Sequence, residues 1–214
     1  MFALIKREVV DNIALFGLAV VPPLMISVLI IKAVVERSVI DVPIGIPEVM
    51  YKAFWVYLLG GAFVAVACGA GQMNSDKNEK ISTFLSTLAT TRKRIMTARL
   101  IVGVFVILLL SVPVVVTDVA LLRTFSRLAP IETGVLIKPF VTIFSVFVCC
   151  YAIGLQSGWR TSKIMSLLSS IALAAVMILV VVIKGFGFES VLILLLFSAA
   201  SLIRTWQQFL STRL

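Results

Sequence analysis

The chain has 214 residues, 61% of them hydrophobic and only 14% charged, with a net charge of +9 and a mean hydropathy of +1.15. A soluble protein carries about 25% charged residues, so this composition excludes a soluble globule and points to a chain solvated largely by lipid. Histidine is absent, which removes the commonest metal ligand and the usual base near neutral pH; the basic residues flank apolar runs rather than clustering among aromatics, which argues against a nucleic-acid partner.

The chain opens with Phe2, Ile5, Val9, Ile13 and Phe16 at steps of three and four. That spacing makes one helical stripe, with Lys6, Arg7 and Glu8 on other positions. Two structures satisfy it: an amphipathic helix lying in the inner membrane interface, its basic residues near anionic headgroups, or simply the cytoplasmic end of the first span. The apolar run that follows is expected to be retained as a span over 13–33. It is too long for a signal-peptide core, carries Pro22 and Pro23, and is followed by no small-residue cleavage site.

Charges then punctuate the sequence and divide it into further spans over 53–73, 98–119, 138–158, 164–184 and 189–206. Each needs about 20 residues to cross a hydrocarbon layer of about 30 Å. In that layer every backbone N–H and C=O must be paired within the segment, so each span is predicted to be a helix. The predicted fold is all-α: one transmembrane domain over 1–214, with six transmembrane helices. The last span has the shortest uncharged run, Ser190–Ile203. It crosses fully if Glu189 and Arg204 snorkel outward; a re-entrant segment is the alternative. Placing the N-terminus in the cytoplasm puts most of the 19 Lys and Arg on that side, as the positive-inside rule requires. Both termini are then cytoplasmic.

Within the second span, Gly60, Gly61, Ala65 and Gly69 crowd together. Small residues let helices approach closely where lipid gives no hydrophobic drive. They serve either packing within the chain or a surface for a second copy or the transport pathway.

The segment 74–97 is the most informative. Asp76 and Glu79 have the spacing of a capping box. Ile81, Phe84, Leu85 and Leu88 then fall at i, i+3, i+4 and i+7, giving a helix with one apolar face. Arg92, Lys93 and Arg94 follow at the expected inner membrane surface. Such a helix can lie on the lipid or seat its apolar face in a groove of a soluble partner. The segment resembles the loop between spans two and three in permease subunits of ATP-binding-cassette transporters of the type-2 exporter class, in their short six-helix form. Glu79 matches the family's acidic residue, Ser82 a threonine, Phe84, Leu85 and Leu88 its leucine-rich helix, Arg92 to Arg94 its basic turn, and Arg99 the cation entering span three. Ile81 stands where glycine is usual and Ala89 where proline is usual. The resemblance implies a coupling helix seated in a separate nucleotide-binding ATPase subunit that holds ATP and Mg. It also implies pairing with a second permease copy or homologue in a prokaryotic inner membrane. This chain would carry no cofactor of its own.

Other candidates carry less. Pro113 is expected to bend span three, as a static kink or a hinge. Asp118, at that span's outer end, either faces water beside Arg123 or serves transport as an acid at membrane depth. Gly154 to Lys163 lacks the order of a phosphate loop. Cys68, Cys149 and Cys150 lie in apolar runs and are expected to act as small hydrophobes. No catalytic constellation is present, so the chain is not expected to be an enzyme.

Overall fold

The computed structural model describes residues 46–79, 92–125, 133–158, 163–185 and 187–211, with isolated helical positions between residues 10 and 32. Five helices follow one another: α1 (Ile46–Glu79), α2 (Arg92–Phe125), α3 (Thr133–Ser157), α4 (Lys163–Lys184) and α5 (Phe188–Ser211). Four contain stretches long and apolar enough to cross a membrane: Trp55–Asn74, Lys93–Pro113, Phe140–Ser157 and Phe188–Phe209. Helix α4 contributes a shorter apolar stretch, Leu168–Lys184. The architecture is that of a helical membrane protein.

The count differs from the expected six: four such helices are present among the described residues. The first expected span, 13–33, lies outside the described residues apart from isolated positions, as do Phe2, Ile5, Lys6, Arg7 and Val9. The last segment, which has the shortest uncharged run, forms a 22-residue apolar stretch, long enough to cross completely.

Helix α3 is the hub, packing against all four other helices. Of its apolar stretch, 72% is buried inside the protein, against 28% for α5. Its core includes Phe147, Tyr151, Ile153 and Leu155, together with Cys149 and Cys150, which are free and fully buried. Both cysteines fill space as small apolar side chains, as expected.

Glycine decides how closely α1 meets α3. A Cβ on Gly69 would stand 2.5 Å from the Tyr151 carbonyl oxygen. One on Gly154 would collide with the Val66 carbonyl oxygen, and one on Gly61 with the Phe147 ring. Gly158 meets Met73 in the same way, at 2.6 Å. The contacts advance in step along the two helices, so α1 and α3 run parallel. With the bare backbones in contact, dispersion replaces the hydrophobic drive that lipid cannot supply. Gly61, Ala65 and Gly69 therefore pack within the chain, whereas Gly60 is exposed, and a methyl placed there would meet nothing within 4 Å.

Helix α5 presents a single buried stripe: Ser190, Leu194, Ser198, Ser201, Thr205 and Phe209. Ser198 and Thr205 satisfy their hydroxyls by donating to the carbonyls of Leu194 (2.7 Å) and Ser201 (2.8 Å). Small hydroxyl residues can thus be buried without an orphaned donor. The α4–α5 turn is tight. Gly185 adopts a left-handed conformation (φ 72°), its N–H donates to the Val181 carbonyl at 2.8 Å, and Lys184 pairs with Glu189 at 3.0 Å.

Candidate functional site

An arginine in an apolar helix is costly unless its charge is accommodated. Arg99 lies in the second turn of α2, about 10 Å along the axis from Arg92 at 1.5 Å per residue, and is only 2% exposed. A cation at a span's end ordinarily snorkels to water; Arg99 instead turns into the contact between α1, α2 and α3. Its Nη1 approaches the Met73 sulfur at 3.9 Å.

Tyr151 and Gln72 complete a buried polar cluster. The Tyr151 hydroxyl donates to Gln72 Oε1 at 2.7 Å and stands 3.2 Å from the Arg99 carbonyl oxygen. Gln72 is 2% exposed and Tyr151 3%. Space for the phenol ring comes from Gly103, where a Cβ would collide with Tyr151. The Gln72 Nε2 is buried without a hydrogen-bond partner. Which amide atom is oxygen is set by the bonding pattern. With the amide reversed, Nε2 would donate to the Tyr151 oxygen and the hydroxyl to the Arg99 carbonyl. One polar position of the amide stays open in either orientation.

The cluster ties three helices together just inside the ends of α1 and α2, the two helices that flank residues 80–91. Its hydrogen bonds join α3 to a side chain of α1 and to the backbone of α2. Among the described residues no group of Cys, Asp or Glu is arranged to hold a metal ion.

The residues expected from sequence distribute as follows. Ile81, Phe84, Leu85 and Leu88 lie outside the described residues. Asp76 and Glu79 do not open a new helix: α1 continues through both. Helical hydrogen bonds persist past the hydrocarbon boundary, where water tolerates charge. For the same reason Arg92, Lys93 and Arg94 form the first turn of α2 rather than a turn before it, and Asp118 lies inside α2, which continues to Phe125. That helix is also continuous through Pro113. Gly154 is embedded in α3 against α1, in no position to cradle a phosphate. The sequence pointed to Arg99 only as a cation at a span entrance. It gave no partner for Gln72 or Tyr151, although an amide within an apolar run was itself a signal, since it is expensive in lipid unless bonded.

No protein-family model matches the chain, and neither a curated protein nor a solved structure resembles it significantly.

Proposed function

We propose that the chain is the membrane-spanning permease subunit of an ATP-driven exporter. It would cross a prokaryotic inner membrane six times with both termini cytoplasmic, and would work as a pair with a second copy or a homologue. A separate nucleotide-binding subunit holds ATP and Mg and grips the segment around residues 76–94 through Ile81, Phe84, Leu85 and Leu88. Asp76, Glu79 and Arg92 to Arg94 flank this contact.

The observation that carries the reading is the buried Arg99–Gln72–Tyr151 cluster. A push delivered between the ends of α1 and α2 reaches, within about two turns, a bonded junction to the hub helix α3. A pair of helices joined to the hub only by apolar contact would slip more readily. The amphipathic spacing of the connecting segment and its resemblance to exporter coupling loops supply the partner. Asp118 is left in this reading as a polar residue toward the far end of α2, with no assigned part in transport.

The test is co-purification with an ATPase encoded beside this chain. Phe84→Asp and Leu85→Asp each place a charge on the apolar face, and are expected to weaken association about 30-fold, as removal of an interface anchor does. Unchanged association would instead favour a non-transporting assembly or scaffold subunit.

A further inference from the structure

A cavity of about 220 Å³ opens between α3, α4 and α5, and its polar lining comes from Gln156, Ser157, Ser169, Arg204 and Gln208. We infer that it holds the phosphate of an anionic phospholipid headgroup. The volume is well above the roughly 30 Å³ of one water and below the roughly 300 Å³ at which drug-sized ligand sites begin. It suits a phosphate with its ester substituents.

The chemistry of the lining fits an anion. Arg204 brings a permanently charged guanidinium, with a planar set of donors matched to phosphate oxygens. It is exposed on α5, one turn before Gln208 on the same face, and no carboxylate lines the cavity. Gln156 adds amide N–H donors. Ser157 does not add one, because its hydroxyl already donates to the Gly154 carbonyl at 2.9 Å.

The position fits a lipid. The lining draws on the C-terminal parts of α3 and α5 and the N-terminal part of α4, so the cavity lies at one end of the bundle. Toward the membrane centre from the cavity, α4 exposes Val176 and Leu179, and α5 exposes Ile193 and Leu196. A headgroup seated at Arg204 would lay its acyl chains along these faces. Basic pockets between transmembrane helices recognise anionic headgroups by this combination.

Trp206, two residues beyond Arg204 along α5 and partly buried, makes the site observable. The full chain carrying Trp55→Phe and Trp159→Phe would be placed in phosphatidylcholine nanodiscs with a small fraction of brominated lipid. Brominated phosphatidylglycerol is expected to quench Trp206 with about fivefold higher apparent affinity than brominated phosphatidylcholine, the effect of one cation at an anionic surface. Arg204→Gln and Gln156→Leu should each reduce that preference, and Arg204→Lys should keep most of it. Equal quenching by the two lipids overturns the proposal. So does a preference that survives both Arg204→Gln and Gln156→Leu. Relief of quenching by millimolar inorganic phosphate would assign the cavity to a soluble anion and overturn its assignment to lipid.

Discussion

Tyr151 shows how a single hydroxyl can decide the geometry of a membrane bundle. Its proton bridges α3 to α1 through Gln72 Oε1 at 2.7 Å, beside the backbone of α2. Tyr151→Phe removes that bond at nearly constant volume and is expected to destabilise the protein by about 0.6–1 kcal/mol. Thermal unfolding in detergent would read this as a small drop in midpoint. Gln72→Leu alone leaves the hydroxyl to the Arg99 carbonyl. Combined with Tyr151→Phe it removes both partners, so the double variant should be less destabilised than the sum of the singles. Strict additivity would mean that the two side chains do not interact. At the far end, the Lys184–Glu189 pair is open to water, with side chains 51% and 73% exposed, and is worth at most about 1 kcal/mol. Gly185 matters more at the same turn: its positive φ would cost a substituted alanine about 1–2 kcal/mol. Gly185→Ala should therefore lower the unfolding midpoint more than Glu189→Gln does.

At the scale of elements, glycine position separates structural contact from open surface. Gly69→Ala and Gly154→Ala drive a methyl into backbone atoms across the α1–α3 crossing. Overpacking of this kind costs about 1–3 kcal/mol, and backbone cannot swing aside as a side chain can. Gly60→Ala meets nothing within 4 Å and should be neutral or stabilising by up to about 1 kcal/mol, because alanine favours helix. Monodispersity and midpoint of the three variants would show the ordering; an equal response would contradict the crossing described here. The existence of the helices could be read from uncharged runs, because lipid forces helix on any long apolar stretch. Their ends could not. Lys52 and Asp76 bound the uncharged run yet lie inside α1, which continues to Glu79, since a helix need not stop where the hydrocarbon stops. The last uncharged run is short because Glu189 and Arg204 bound it; in the structure Glu189 pairs with Lys184 and Arg204 lines a cavity. The candidate site was still less visible. Tyr151 and Gln72 are 79 residues apart, and no local spacing records that they meet.

For the whole molecule, α3 acts as a mast on which the other helices lean, and the Arg99 junction lies where α1 and α2 approach residues 80–91. The proposed exporter role needs that connection on the cytosolic side and covered by a partner. A cysteine introduced as Phe84→Cys tests both requirements at once. The native thiols will not interfere, because Cys68, Cys149 and Cys150 are buried. In sealed inside-out vesicles an impermeant maleimide should label position 84, and added ATPase subunit should protect it. Labelling only in right-side-out vesicles, or labelling that the ATPase leaves unchanged, would contradict the account.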